Sequence, residues 1–313
     1  MDTTAVIFEH GKQLTLDTLT LNEPNSSDVV VDTIWSGVSA GTERLLWTGE
    51  MPWFPGLHYP LVPGYEAVGE VVEAGPDSDR KVGDRVFVPG ATCYRDASGL
   101  FGAAASRLVV AGNRTVPVDE ALNEQAILLS LAATAHHILA GSPQVGPMLI
   151  VGHGTLGRLI ARVAIAQGCH PPTVWERKAE RALGAAGYQI KTSETDAETG
   201  YATIIDASGD PDILNLLISR LRHGGEVVLA GFYSTPLSFV FPPAFMREAR
   251  LRVAAEWQPA DLEAVKHLID EGRLDLNGLI SHRSHFEQAE EAYRIAFLEP
   301  ACSKMVLDWR HSL

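Results

Sequence analysis

Hydrophobic and polar positions form short, β-rich runs over roughly the first 112 residues. The runs are separated by turn residues such as Asn25-Ser26-Ser27, Gly83-Asp84 and Pro89-Gly90, a pattern typical of strands joined by tight connections. The predicted strands are Ala5–Glu9, Leu14–Leu21, Val29–Trp35, Ala67–Ala74, Arg85–Val88 and Arg107–Val110. This spacing predicts a barrel-like β domain rather than alternating strands and helices.

The pattern then changes to strands alternating with helices. A helix is predicted over Asn123–Ala140, and the alternation continues through the strand Ala202–Ser208, the helix Pro211–Arg222 and the strand Glu226–Ala230. Such alternation predicts a parallel, doubly wound sheet with helices on both faces. The tail adds a helix from Pro259 through Ile269, a helix over Gln288–Phe297 and a last strand over Lys304–Trp309.

A glycine turn follows the apolar strand Leu149–Val151. Gly152, Gly154 and Gly157 have the G-x-G-x-x-G spacing of a dinucleotide-binding βαβ unit, and Glu176 follows 19 positions after Gly157 (176 − 157), where an acid can bind a ribose 2′-hydroxyl. The helix that starts at this turn would direct its amides at the pyrophosphate. The predicted cofactor-binding residues are Gly152, His153, Gly154, Thr155, Leu156, Gly157, Glu176 and Arg177. The alternatives are a glycine turn in a nucleotide-free domain and, for His153, a solvent-facing turn residue.

Composition and charge narrow the functional classes. The chain has 313 residues, 46% of them hydrophobic, and a formal net charge of −14, which argues against nucleic acid or an anionic membrane as a partner. We expect a soluble, cytoplasmic protein with at most peripheral membrane contact, because the chain has no run of about 18 apolar residues and no signal-like N-terminus. The three cysteines are widely spaced and form no C-x-x-C pair, which suits a reducing compartment.

Five segments carry a family resemblance: SGVSAGTE (Ser36–Glu43), PGYEAVGEV (Pro63–Val71), KVGDRVFV (Lys81–Val88), AATAHH (Ala132–His137) and the glycine turn. Together they resemble the medium-chain dehydrogenase/reductase family. The resemblance implies an α/β fold, with a GroES-like β-rich catalytic domain (residues 1–122), a Rossmann doubly wound parallel sheet (residues 123–256) and a C-terminal segment (residues 257–313) that returns to the catalytic domain. It also implies a nicotinamide cofactor in the cleft between the domains. Glu176 favours NAD, because its charge would repel the 2′-phosphate of NADP, although Arg177 and Lys178 leave that choice open.

Zinc-dependent members of this family bind the metal through a cysteine in the first segment and a histidine in the second. Here Ser39, Ala40 and Gly41 occupy the first position and Tyr65 the second, and neither hydroxyl nor methyl groups replace thiolate and imidazole. Only Cys93 lies in the lobe where many relatives have four clustered cysteines. We therefore predict no catalytic and no structural zinc.

Without a metal, other groups must take the hydroxyl proton. The candidate catalytic residues are Thr42, Tyr65, Glu66 and His136, with His137 as an alternative to His136. Thr42 matches the hydroxyl residue that relays the proton in zinc-dependent relatives. Each candidate also has a structural interpretation: a helix cap for Thr42, core packing for Tyr65, a hydrogen-bonding carboxylate for Glu66 and satisfied interface residues for the histidines.

A narrower resemblance concerns members of the family that act in bacteriochlorophyll biosynthesis. It is carried by TAVIFE, the run from Trp35 to Glu66, GDRVFVPGA, GLFGAAASRLVV, LAATAHH, IVGHGTLGRL and PPTVWE. It implies oxidation of a 3-(1-hydroxyethyl) group to 3-acetyl on a magnesium-containing bacteriochlorophyllide. The candidate substrate-binding residues are Trp47, Trp53, Phe54, His58 and Tyr59, whose rings could form a wall for a flat macrocycle, with His58 as a magnesium ligand. The alternative is a loop packed on its own domain or on a partner subunit, with His58 an ordinary surface residue.

Other partners and functions stay open. Arg44 or Arg107 could pair with the pigment's propionate, and the family habit of pairing through the Rossmann sheet suggests a homodimer with the strand Leu237–Phe241 at its edge. The competing functions are a zinc-free quinone or enone reductase that uses NADPH, and a non-catalytic, nucleotide-bound pigment carrier.

Overall fold

Strands and helices in the computed structural model, which describes residues 1–142 and 145–310, follow the predicted change of pattern. The strands are β1 Asp2–Phe8, β2 Leu14–Thr20, β3 Asp28–Val38, β4 Leu61–Val62, β5 Ala67–Ala74, β6 Arg85–Val88, β7 Ser98–Gly99, β8 Arg107–Ala111, β9 Val116–Pro117, β10 Met148–Val151, β11 Thr173–Trp175, β12 Gln189–Lys191, β13 Tyr201–Asp206, β14 Leu221–Leu229, β15 Arg250–Val253, β16 His282–His285 and β17 Met305–Asp308. The α-helices are α1 Thr42–Thr48, α2 Leu129–Ala140, α3 Thr155–Ala166, α4 Leu214–Arg220, α5 Phe241–Met246, α6 Pro259–Asp270 and α7 Ala289–Leu298.

Contacts within the chain divide it into two units. The first comprises residues 1–129 together with the segment from residue 280 onward, and the second comprises residues 130–279. The sequence predicts changes of domain at residues 122 and 256, whereas the contacts change at residues 129 and 279. The predicted α/β fold class, a β-rich domain plus a doubly wound parallel sheet, is confirmed.

The first unit is built around the long strand β3. One sheet has the order β16-β17-β3-β5-β6-β9, with β8 also paired to β3, and a second has the order β2-β1-β4-β7. Buried side chains of both sheets form one core, which also takes in Tyr293 and Phe297 from α7. Because β3 leads directly toward α1, the residues between them, 39–41, are fixed at a strand end.

The second unit contains a parallel sheet with the order β12-β11-β10-β13-β14-β15. All four residues of β10 are buried, as expected for a strand covered by helices on both faces. The strand order reverses beside β10, between β10 and β13. In open α/β sheets, ligands bind outside the carboxyl ends of the strands at such a point, and the glycine turn lies there.

Several local predictions are wrong. The helix predicted from Asn123 begins at Leu129, because residues 120–128 form 3₁₀ turns and Asn123 has non-helical dihedral angles (φ 49°, ψ −135°). The predicted edge strand Leu237–Phe241 forms no strand, and β15 lies at that edge of the sheet instead.

In the described residues, no helix has both the length and the apolar character needed to cross a membrane.

Candidate active site and cofactor turn

The glycine turn has the geometry that its spacing predicts. Gly152 has φ 96°, a conformation that favours glycine, and a Cβ added at Gly157 would clash with the backbone oxygen of Gly152. A Cβ added at Gly154 would meet nothing within 4 Å. Gly154 is also the N-cap of α3 and offers no side chain to the first-turn amides. The turn therefore leaves a space beside these amides that suits a pyrophosphate.

Glu176 lies directly after β11 and is held by two backbone amides. One carboxylate oxygen accepts from the His153 N–H at 3.0 Å, and the other accepts from the Lys178 N–H at 2.8 Å. Carboxylate oxygens each have further lone pairs, so Glu176 can still accept from ribose hydroxyls. Arg177 is exposed, and its guanidinium forms an ion pair with Asp210 at 3.3 Å. Its positive charge is therefore partly neutralised by Asp210.

The side chain of His153 is fully buried, so the solvent-facing interpretation is wrong. Its Nδ1 lies 2.6 Å from the Arg181 carbonyl oxygen and its Nε2 lies 2.6 Å from the Tyr188 hydroxyl. With both ring nitrogens engaged, the imidazole has no free polar atom for a phosphate. These hydrogen bonds give no support to a contact between the His153 side chain and the pyrophosphate, and a role for His153 in cofactor binding stays a prediction.

In the first unit, Tyr65 lies against the residues that follow β3. Its hydroxyl donates to Ser39 Oγ at 2.7 Å, and the Thr42 hydroxyl is also close enough to lower the pKa of Tyr65. Burial and the neighbouring Glu66 outweigh these contacts and raise the pKa of Tyr65 well above its usual value. The phenol therefore stays protonated and can donate a hydrogen bond.

A buried charge cluster lies next to Tyr65. Glu66 and Lys304 form an ion pair in which both side chains are 1% exposed. Gly37 provides the room for this pair, because an added Cβ would clash with the Glu66 carboxylate and crowd Lys304. Burial raises the pKa of Glu66, and Lys304 opposes this rise.

Glu43, from the first turn of α1, completes the cluster. Its side chain is 0% exposed, and one oxygen accepts from the Ser39 N–H at 3.2 Å. Burial first, and then the Glu66 charge, raise the pKa of Glu43 to about 8, against the weaker effect of Lys304. The other oxygen of Glu43 and the hydroxyl of Tyr293 have no hydrogen-bond partner among the described residues, although each group shifts the pKa of the other.

The predicted aromatic residues form two groups. Phe54 and Tyr65 each pack edge-to-face on Phe101, with ring centroids 6.1 and 5.6 Å apart. Trp47 packs on Phe297 at 5.4 Å, and the Tyr59 hydroxyl donates to the Leu46 carbonyl. Of the other two predicted contacts, Trp53 is 87% exposed and His58 is also exposed.

Two histidines and one arginine already have structural partners. His136 and His137 lie in the second unit, where their Nδ1 atoms contact the two oxygens of Asp261 at 2.7 and 2.8 Å. Asp261 also accepts from the backbone amide that begins α6. Arg107 forms a two-bond pair with Asp32 at 2.6 and 2.9 Å. Arg44 is therefore the better remaining candidate for a propionate, and a catalytic role for His136 stays a prediction.

Comparisons with known proteins identify the family to which this chain belongs. Residues 25–120 match the alcohol dehydrogenase GroES-like domain. The chain is 56% identical to the 2-desacetyl-2-hydroxyethyl bacteriochlorophyllide A dehydrogenase of Cereibacter sphaeroides and 52% identical to the protein of the same name from Rhodobacter capsulatus, in both cases over 99% of each chain. The chain belongs to the medium-chain dehydrogenase family. A crystal structure of a short chain alcohol dehydrogenase from E. coli CFT073, complexed with cofactor NADH, shares the fold at 20% identity and a TM-score of 0.83, covering 98% of this chain and 99% of that one.

The donor set of this medium-chain dehydrogenase does not fit a catalytic zinc ion. The positions of the ligands are taken by a serine hydroxyl, an alanine methyl and a tyrosine whose proton is directed at Ser39. In residues 1–142 and 145–310, no group of three or more histidine, cysteine or acidic side chains is placed to hold a metal ion.

Three residues of the site were not predicted from the sequence: Glu43, Lys304 and Phe101. Glu43 is adjacent to the predicted Thr42, and its signal is an acid that follows directly on a buried strand and turn. Lys304 has a weaker signal, a lysine directly before the apolar run Met305–Leu307 of the last strand. Only the fold brings it to Glu66, 238 positions away along the chain.

Proposed function

We propose that this medium-chain dehydrogenase oxidises the hydroxyethyl group of a bacteriochlorophyllide to an acetyl group, with NAD as the acceptor and without zinc. The observation that carries the proposal is the 56% identity, over 99% of both chains, to a protein named for this dehydrogenation. The glycine turn supports it, because the open space at Gly154 and the clash that a side chain would cause at Gly157 suit a dinucleotide.

The substrate makes a metal less necessary. The carbinol carbon is bonded directly to a conjugated macrocycle, so positive charge that develops as hydride leaves is delocalised. When bound, the nicotinamide supplies the hydride acceptor. The remaining task of the protein is to hold the hydroxyl and take its proton.

Tyr65 and Ser39 are suited to that task. Because Tyr65 donates its own proton to Ser39, the Tyr65 oxygen remains an acceptor for a substrate hydroxyl. When Tyr65 takes the proton of the substrate hydroxyl, it passes its own phenolic proton to Ser39 Oγ. Ser39 must then pass on its own hydroxyl proton, and Glu43, which accepts from the Ser39 backbone N–H, is the neighbouring carboxyl group. Its pKa of about 8 keeps it protonated below that pH, so we assign its ionised form, which becomes available as the pH approaches 8, as the acceptor. Thr42 would orient Tyr65, and Glu66 would fix the local charge together with Lys304.

The row Phe54–Phe101–Tyr65 offers an aromatic face for the macrocycle. Trp53, which is 87% exposed, could cover the pigment from outside this row, and His58 remains the candidate magnesium ligand. Trp47 and Tyr59 would support the wall from behind, because their contacts are with Phe297 and Leu46.

The choice of NAD rests on Glu176. Its carboxylate is held in place by two amides, and a second negative charge at the ribose 2′-position would be repelled. Arg177 offers limited compensation because it pairs with Asp210.

The test is an absorption assay with purified protein and hydroxyethyl-bacteriochlorophyllide. With NAD, we expect the long-wavelength band to move further to the red as the acetyl group joins the conjugation, and we expect the rate to be unchanged by a chelator. NADP should support a markedly lower rate. A several-fold gain on adding zinc would contradict the zinc-free chemistry, tighter binding of NADP than NAD would favour the reductase, and no shift with NAD-binding protein would favour the carrier.

A further inference from the structure

A buried histidine joins the glycine turn to the segment that follows Glu176. The His153 ring contacts the Arg181 carbonyl and the Tyr188 hydroxyl, while its backbone N–H donates to Glu176. One residue thus contacts both the carboxylate predicted to bind ribose and the chain next to it. The established family activity does not explain why a histidine should stand between the first two glycines.

The hydrogen bonds define the state of the imidazole. A carbonyl oxygen can only accept, so Nδ1 carries the proton and donates to Arg181, and Nε2 accepts from the Tyr188 hydroxyl. Burial is the main reason that the pKa of His153 is lowered to about 4, and the nearby Arg158 acts in the same direction. The ring is therefore neutral at physiological pH and keeps one donor and one acceptor.

The segment after Glu176 depends on such outside partners. Between β11 and β12 the chain forms a single 3₁₀ turn, Ala179–Arg181, instead of an α-helix that would satisfy its own carbonyl groups. The Arg181 carbonyl accepts from both His153 Nδ1 and Arg158 Nη2, the latter at 3.1 Å. Arg158, which is 7% exposed, also donates from Nε to the His153 carbonyl at 3.1 Å.

We propose that His153 is a positioning residue for the adenosine half of the cofactor and helps to set the preference for NAD. It acts through Glu176 and through the segment 177–188, without touching the ligand. This inference rests on the proposed function, because it requires a dinucleotide at the turn. Loss of the imidazole frees the segment from the turn, so that Glu176 is held less firmly and the 2′-phosphate of NADP is rejected less strongly.

The test compares His153→Ala, His153→Gln and Tyr188→Phe. The glutamine retains one donor and one acceptor, and the phenylalanine removes only the hydroxyl that donates to Nε2. For His153→Ala we expect about a ten-fold weaker affinity for ADP-ribose and a similar rise in KM for NAD, since a buried donor and acceptor lose their partners. The expected kcat at saturating NAD changes less than about two-fold, and the ratio of NAD to NADP affinity falls. Tyr188→Phe and His153→Gln should show the same changes at smaller size.

Three results would overturn the inference. One is unchanged ADP-ribose affinity in folded His153→Ala, or in Tyr188→Phe and His153→Gln if the alanine variant does not fold. Another is a fall in kcat at saturating NAD that equals the rise in KM, which indicates general damage. The third is an unchanged preference for NAD. If the wild-type protein binds no ADP-ribose, the proposed function fails as well, whereas normal wild-type binding with unaffected variants sinks this inference alone.

Discussion

Replacing Glu43 with glutamine should change how stability depends on pH. Glu43 is fully buried and is surrounded by Glu66, Lys304, Tyr293 and the Ser39 amide. Glutamine has nearly the same shape and keeps an oxygen for the Ser39 N–H, but it cannot ionise. The difference between wild type and Glu43→Gln therefore isolates the titration of this one group.

The sign follows from the raised pKa. The folded protein holds the Glu43 proton up to about pH 8, whereas the unfolded chain releases it near the usual glutamate pKa of 4.5. Between these values the folded state binds more protons, so its stability falls as pH rises and levels off above about pH 8. At roughly 1.4 kcal/mol per pH unit, the full difference amounts to about 5 kcal/mol.

The assay is denaturant or thermal unfolding of both proteins from pH 5 to pH 9. Relative to wild type, Glu43→Gln should gain stability steadily from about pH 5 to pH 8 and then keep a constant advantage. Glu263→Gln, at an exposed position, should show a flat difference and serves as the matched control. A flat difference for Glu43→Gln as well would refute the assignment of a protonated carboxyl in this cluster.

Three further changes test other parts of the structure. Lys304→Met leaves the Glu66 carboxylate buried without its cation and should cost about 3–5 kcal/mol in unfolding experiments, much of which the added Glu66→Gln change should restore; equal stability of all three proteins would contradict a real ion pair. Gly154→Ala should keep the wild-type Tm but weaken NAD binding, whereas Gly157→Ala should lower both, because only the second Cβ meets protein atoms; calorimetric titration that finds normal NAD affinity in Gly154→Ala would place the phosphates elsewhere. We propose that the edge strand β15 pairs with a second copy of the chain, because Val253 on this strand is 74% exposed. Light scattering should find a dimer that Val253→Asp converts to a monomer, and a monomeric wild type would exclude this pairing.

Much of this fold can be predicted from short stretches of sequence, because strand ends and glycine turns are determined by neighbouring residues. The bounds of β5 and β6 agree with the predicted strands at both ends, since each is a short segment rich in valine and other apolar residues. The glycine turn is equally readable, because steric limits at Gly152 and Gly157 leave little choice of residue.

The remaining features depend on contacts between distant residues. Asn123 adopts a left-handed φ of 49° inside what reads as a continuous helix, and no periodicity reveals that kink. His153 reads as an exposed turn residue until the fold brings Tyr188 over it. The pairing of Glu66 with Lys304 likewise needs β17 to return beside β3, which only the assembled sheet shows.

Label transfer tests the central claim most directly. Hydroxyethyl-bacteriochlorophyllide with deuterium on the carbinol carbon is incubated with chelator-treated protein and NAD, and the nucleotide product is analysed by mass spectrometry. The proposed chemistry predicts NADH that carries the deuterium, in equal amount to the acetyl pigment formed. Acetyl pigment without label in the nucleotide, or no acetyl pigment from protein that binds both NAD and the substrate, would contradict it.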